Sequence, residues 1–361
     1  MKDTIAAAGE RIERIQSRLA SLDVEGILFF DLTNIRYLVG FMGSAGILFI
    51  GKDSVILTVD GRYTTQAGRE TRGCEIIESS DNIRGISAKI SDSPLRSLGF
   101  EASAISFEDY SKLKEKTNFA TLKPLSDELN SLRIIKTKGE IDLLKGATSI
   151  AADALQKTVE IIGPGTTEKN IALDLEFQMR KGGGEKPSFD TIVASGPNSA
   201  LPHARPQSRS IERGDFVIID YGAVYEGYHS DETCTFAVGR VTEEQKKIYN
   251  IVKDAHDRAL DAVKAGIPCK DVDEVARGAI ERAGYGQYFS HGTGHGVGLD
   301  VHEAPKLSRG STDYLEEGMV VTVEPGIYIP DAYGIRIEDM ALVGKDGCEI
   351  LTRTSKDLRI L

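Results

Sequence analysis

The chain has 361 residues, a formal net charge of −11, 40% hydrophobic and 27% charged residues. That length suits two domains with separate cores, and the composition is that of an ordinary soluble globular protein. The acidic balance and the lack of any Lys/Arg cluster exclude a basic nucleic-acid-binding face, and no run of about 18 apolar residues is present to span a membrane.

The first ~130 residues alternate helical and strand patterns, as an α/β domain does. Gly9 to Leu22 suits a helix, Gly26 to Phe30 is a short apolar strand, and Ala45–Ile50 with Ser54–Val59 forms a hairpin around Gly51-Lys52-Asp53. The segment Met1–Leu22 is charged and helical, without the apolar run of a signal peptide. Cys74, Cys234, Cys269 and Cys348 are far apart and form no C-x-x-C pair. They read as free thiols in a reducing compartment, so a cytoplasmic location is expected. A long helix from about Lys138 to Ile162 opens a second domain and stops at Gly163-Pro164-Gly165; another runs from Thr167 to Lys181. The expected domains are 1–131 and 132–361. Shifting Gly165–Ile171 by 101 positions places it on Gly266–Val272, with Met179 on Ile280 and Gly183 on Gly284. This weak repeat suggests a duplicated unit with pseudo-two-fold symmetry and a site between its halves.

Strand patterns at Phe216–Ala223 and Tyr228–Val238 flank Val224-Tyr225-Glu226-Gly227. A turn centred on Tyr225-Glu226 pairs Asp220 with Asp231; a bulge at Gly227 would shift the register. Strand patterns at Val320–Ile329 and Gly334–Val343 surround a turn centred on Asp331, which pairs Glu324 with Glu338. Opposed carboxylates repel and call for a cation between them. His295 lies in the alternating glycines of Gly292-Thr293-Gly294-His295-Gly296-Val297-Gly298, where missing side chains let backbone, metal or substrate approach. That run fails the dinucleotide pattern at Val297, and Lys181–Lys186 lacks the ending of a phosphate loop. Asp220, Asp231, His295, Glu324 and Glu338 together form a hard donor set suited to Mn²⁺, and also to Co²⁺ or Zn²⁺. Two such ions activate water and polarise a carbonyl, which points to amide or ester hydrolysis.

These segments resemble the M24 metallopeptidases, the pita-bread family of aminopeptidase P, prolidase, methionine aminopeptidase and creatinase. The matching stretches are Asp220-Tyr221-Gly222 through Ser230-Asp231, His291 through Glu303, Val323 through Tyr328, and Gly334 through Asp339, within about Leu132 to Val343. Asp60-Gly61-Arg62-Tyr63 is similar to the domain that precedes the catalytic one in aminopeptidase P and prolidase, and which methionine aminopeptidases usually lack. The implied fold is α/β (α+β). A creatinase-like N-terminal α/β domain precedes a pita-bread domain with a curved antiparallel sheet, outer helices and pseudo-two-fold symmetry. By position, the resemblance implies that Asp220 chelates one ion, Asp231 and Glu338 bridge two, and His295 and Glu324 complete the other. It further implies Glu324 as general base, His302 at the tetrahedral intermediate, His203 near the scissile bond, and His291 and Arg336 on the substrate side. The implied activity is cleavage of Xaa-Pro bonds by an aminopeptidase or a dipeptidase. The implied partners are a peptide with Pro second and another copy in a homodimer, whose N-terminal domain limits peptide length.

Other readings stand beside these. Arg336 alternates with Ile335 and Ile337, so a structural Arg–carboxylate bridge to Glu338 is as consistent as substrate contact. His229 reads as a rim residue and His256 as part of a solvated helix face. Many members of the family carry Arg where this chain has Cys234, which puts the contact of that Arg in doubt. A creatinase-like amidinohydrolase, a methionine aminopeptidase-like activity and a non-catalytic binding protein are the alternatives. The first and last of these are expected to have lost part of the ligand set.

Overall fold

In the computed structural model, residues 2–92 and 95–361 are described, and contacts divide the chain into Met1–Leu132 and Arg133–Leu361. The first unit runs α1 (Lys2–Arg18), β1 (Gly26–Phe29), α2 (Leu32–Val39), β2 (Ile47–Gly51), β3 (Val55–Val59), α3 (Thr64–Glu70), β4 (Glu75–Glu78), α4 (Asn82–Ile90), β5 (Ser97–Glu101), α5 (Phe107–Lys116), β6 (Thr121–Leu125) and α6 (Asp127–Asn130). Its six strands form one mixed sheet in the order β4-β3-β2-β1-β5-β6. The hairpin read from the sequence is β2–β3, antiparallel, with Ile50 opposite Val55. Leu28, Phe49, Ile56, Ile86, Leu98 and Leu113 pack as one core cluster of the unit. The helix expected at Gly9 to Leu22 begins and ends earlier, at Lys2–Arg18.

The second unit carries α7 (Lys138–Thr158), α8 (Glu168–Lys181), β7 (Lys186–Pro187), β8 (Ile192–Ser195), β9 (Phe216–Tyr221), β10 (Ala223–Tyr225), β11 (Tyr228–His229) and β12 (Glu232–Ala237). There follow α9 (Glu243–Ala262), α10 (Cys269–Arg282), β13 (Gly294–Gly296), β14 (Glu303–Leu307), β15 (Val320–Val323), β16 (Gly326–Ile329), β17 (Tyr333–Arg336), β18 (Asp339–Val343) and β19 (Cys348–Ile350). Both long helices open with a capping box, Thr137 with Glu140 and Thr242 with Gln245. In each box the threonine hydroxyl and the acid or amide three residues on satisfy each other's backbone N–H. The internal repeat is visible in the elements. α8 and α10 each have 14 residues. Glycines with positive φ lead into them, Gly165 at 93° and Gly266 at 83°, and follow them, Gly183 at 104° and Gly284 at 88°. Each sits in the left-handed region that a side chain would strain.

Period-two alternation decides which face of the sheets each half buries. Val217, Ile219, Tyr221, Cys234 and Phe236 pack with Leu155, Ile171, Leu175 and Met179 of α7 and α8. Val321, Val323, Ala341 and Val343 pack with Ala259, Val263, Val272 and Ala276 around α9 and α10. The residues in between, Asp220 on β9, Glu324 just after β15 and Glu338 just before β18, are left for the opposite face.

The first hairpin departs from the expected register. Val224 pairs with His229 and Tyr225 with Tyr228, so the turn is Glu226-Gly227, with φ of 49° and 84°. Two positive φ values match the twist of a type I′ hairpin turn. Glu226 accepts the left-handed conformation beside Gly227, which moves the turn one residue on and the pairing two. Asp220 therefore lies opposite Thr233, and Glu232 opposite Tyr221. A two-residue shift keeps every side chain on its face, so Asp220 and Asp231 still share one. The second hairpin has the expected register, with Gly326 opposite Arg336 and Val323 opposite Asp339.

Candidate metal centre

The strands break where the acids sit. Glu324-Pro325 separates β15 from β16, and Ile337-Glu338 separates β17 from β18. Pro325 has no N–H to give to a ladder, and the neighbouring donors turn to other segments. The Glu324 N–H donates to Thr293 O at 2.7 Å and the Glu338 N–H to Thr233 O at 3.1 Å. These exchanges join the hairpin to the His295 segment on one side and to β12 on the other. Gly294 makes the first approach possible. A Cβ there would lie 1.9 Å from Thr322 O, so the glycine run brings backbone against backbone.

Ligand atoms of Asp231, His295 and Glu338 lie within 4.8 Å of one another. His295 Nε2 is 3.6 Å from Asp231 Oδ2 and 3.4 Å from Glu324 Oε1. Its Nδ1 is 3.0 Å from Gly296 O. A carbonyl only accepts, so Nδ1 carries the proton and Nε2 presents a lone pair to the carboxylates. Burial holds the imidazole below its ordinary pKa, against the bond to Gly296. Asp220 Oδ2 accepts from Arg336 at 2.6 Å, while buried Oδ1 has no hydrogen-bond partner among the described residues. Glu338 Oε2 accepts from the Thr233 hydroxyl at 2.7 Å.

Burial, then Glu338, Asp220 and Glu324, push the Asp231 carboxyl well above the usual carboxylate range. Burial followed by Glu324 and Asp220 does the same to Glu338, and burial pushes Glu324 up to about 7 against the pull of Arg336. Four facing carboxylates, an orphaned carboxylate oxygen and a bare imidazole lone pair are an arrangement that cations complete. The residues present fit divalent metal ions.

The remaining site residues fall into two groups. Arg336 is buried and committed within the chain. It donates to Asp220, to the Tyr328 hydroxyl at 2.8 Å, to Thr233 Oγ1 at 3.1 Å and to Pro202 O at 3.1 Å. Tyr328 in turn lies 2.9 Å from His291 Nε2. Burial lowers the His291 pKa to about 4, so the ring is neutral near pH 7 and accepts from the tyrosine. His302 and His203 are exposed. The His302 ring stands edge-on to His295 with centroids 4.4 Å apart, and His203 lies next to Pro202, whose carbonyl Arg336 holds.

Sequence patterns missed Tyr328, Thr233 and Thr322, which hold these groups. Tyr328 stands four residues beyond Glu324 and Thr233 two beyond Asp231, so same-face spacing along each strand is the signal that finds them. Two histidines differ from expectation. His256 is buried, with its ring nitrogens 3.0 Å from Asp257 and 3.2 Å from Asp339. His229 is buried too, because its backbone N–H donates to Gly298 O at 2.8 Å and draws the strand under the loop that precedes His302.

Residues 142–345 match the profile of metallopeptidase family M24, and residues 11–135 that of the creatinase/prolidase N-terminal domain. A protein of Pyrococcus horikoshii named Xaa-Pro dipeptidase is 39% identical over 97% of this chain and 98% of its own length. A solved Xaa-Pro dipeptidase from Bacillus anthracis superposes with a TM-score of 0.95 at 43% identity, covering 98% of this chain and 100% of that one. An X-Pro aminopeptidase from Thermotoga maritima gives a TM-score of 0.91 at 37% identity, covering 97% and 99%. Among the described residues, no helix is long and apolar enough to cross a membrane.

Proposed function

The chain belongs to metallopeptidase family M24, and on that premise we propose that it hydrolyses the bond between a first residue and a following proline, with Xaa-Pro dipeptides as its favoured substrates. The convergence of Asp231, His295 and Glu338, with Asp220 and Glu324 facing them, carries this reading. The relatives named Xaa-Pro dipeptidase support the choice of substrate.

In this reading Asp220, Asp231, His295, Glu324 and Glu338 hold two divalent ions. Four carboxylates with one imidazole and no thiolate favour Mn²⁺, with Co²⁺ or Zn²⁺ as substitutes. When bound, such ions lower the pKa of water and polarise the scissile carbonyl. Glu324 takes the proton of the attacking water at a carboxylate oxygen, the Thr322 hydroxyl 3.5 Å away steadying its Oε1, and returns it to the prolyl nitrogen as the C–N bond breaks. His302 and His203 present ring N–H groups to the substrate oxygen as it gains charge, a role that matters more in the transition state than in the ground state. Arg336 holds Asp220 aimed by its hydrogen bond to Oδ2, and with Tyr328 and His291 it forms the wall beneath the substrate. Homodimer formation is also proposed, with sedimentation velocity as its check.

The deciding experiment is a panel of Xaa-Pro, Xaa-Pro-Yaa-Zaa and Xaa-Ala peptides with Mn²⁺-loaded protein, with and without chelator. Cleavage of Xaa-Pro that a chelator abolishes is expected. Failure on every proline peptide in protein shown to contain metal overturns the reading, and preference for the longer peptides assigns an aminopeptidase instead.

A further inference from the structure

The reverse side of the ligand strands holds a second group of charges. Alternation sends Asp231 and Glu338 to one face and their chain neighbours Glu232 and Asp339 to the other. Glu232 and Asp339 are buried, at 0% and 5% exposure, and between them lies the ammonium of Lys356, itself 8% exposed. Lys356 Nζ is 2.5 Å from Glu232 Oε1 and 3.4 Å from Asp339 Oδ1. It also lies 3.5 Å from Cys234 Sγ. The Tyr221 hydroxyl donates to Glu232 Oε2 at 2.8 Å and the Thr354 N–H to Glu232 Oε1 at 3.2 Å. Thr352 donates its hydroxyl to Asp339 Oδ1, and His256 faces Asp339 Oδ2.

The segment bearing Lys356 is fastened on both sides. The Leu351 N–H donates to Met340 O and the Leu361 N–H to Ala237 O, each at 2.8 Å. It therefore ties β18 to β12. Both carboxylates that Lys356 clamps belong to the chain neighbours of Asp231 and Glu338, so a change in the Glu232–Asp339 separation moves the two ligands with it. Nothing else in the proposed chemistry uses this ammonium.

We propose that Lys356 is a positioning residue for the metal centre, setting the separation of Asp231 and Glu338 by clamping Glu232 and Asp339 from a volume that a long cationic side chain at position 234 would also reach. The inference rests on the reading that Asp231 and Glu338 hold metal. Cys234 lies on the same strand face as Glu232, and its sulfur touches the ammonium. A longer cationic side chain at 234 would put its charge into the volume that Lys356 occupies, between the same two acids.

The test compares the parent protein, Lys356→Ala and Cys234→Arg/Lys356→Ala. Each is stripped of metal, checked for folding by circular dichroism and titrated with Mn²⁺ by calorimetry. Lys356→Ala is expected to bind Mn²⁺ about tenfold or more weakly, and the double variant within about threefold of the parent, as for other groups that orient metal ligands. A purely structural ion pair would lower the melting temperature and leave the affinity of the folded protein unchanged. Unchanged affinity in Lys356→Ala, or a double variant no tighter than the single one, overturns the proposal. If Lys356→Ala does not fold, a folded double variant with parental affinity supports it, and a double variant that is unfolded or weak-binding overturns it. A parent that binds no Mn²⁺ overturns the metal reading itself, a result separate from these.

Discussion

Arg336 does most of its work through other residues. Its donors fix Asp220, Tyr328, Thr233 and the Pro202 carbonyl at once, a geometry that depends on a planar fork. Lysine keeps the charge and loses the fork, so Arg336→Lys is expected to reduce kcat/KM by about 10- to 100-fold, matching one or two charge-assisted hydrogen bonds. Steady-state kinetics on an Xaa-Pro dipeptide checks this; parental kcat/KM would show that charge alone suffices. At this scale the sequence was most readable. The acids and His295 stood out because unpaired charges and glycine runs are rare on buried strands. The commitments of Arg336 were not readable, since four partners from separate segments meet there and strand alternation identifies only a face.

Among the elements, α8 shows how a helix end fixes a loop. Glu168 at its start is fully buried and accepts from Ser195 N and Ser195 Oγ at 2.7 Å and from Asn198 Nδ2 and Gln207 N at 2.8 Å. Those donors bracket the loop that carries His203. An amide cannot accept from all four, so Glu168→Gln is expected to cost about 2–3 kcal/mol in urea unfolding and to raise KM through the loosened loop. A loss below about 0.5 kcal/mol would mean that the loop is held otherwise. The Glu226-Gly227 turn gives a prediction of opposite sign. Asn tolerates the left-handed region better than Glu, so exposed Glu226→Asn is expected to stabilise by about 0.5–1 kcal/mol, seen as a higher urea midpoint at unchanged slope. The starts of α7 and α8, both hairpins and the repeat could be read from local chemistry, whereas the start of α1 could not. The first register could not, because a non-glycine residue accepting positive φ is an energetic compromise that sequence preference disfavours.

For the whole molecule, the cluster of repelling acids makes folding depend on what binds there. Ions that bind only the folded chain stabilise it by mass action. Saturation at 100 times the dissociation constant is expected to raise the unfolding free energy by about 2.7 kcal/mol, measured by thermal unfolding across a Mn²⁺ titration. A melting temperature independent of Mn²⁺ would contradict the assigned ligands. The two-unit architecture was legible in the alternation of patterns along the chain. The burial of His229 and His256 was not, because each is covered by a segment distant in sequence.

The interrupted ladders around Pro325 and Ile337 also govern how this protein can change. A continuous hairpin can slide by two residues and keep its faces. Here such a slide would strip Glu324 of Thr293 and Glu338 of Thr233 in one move, so the alignment is locked from both flanks. Added residues are therefore tolerable at the exposed tip near Asp331 and intolerable beside Pro325. Length variation among functional descendants of this chain is confined accordingly, and a library built to widen its substrate range should place its insertions at that tip.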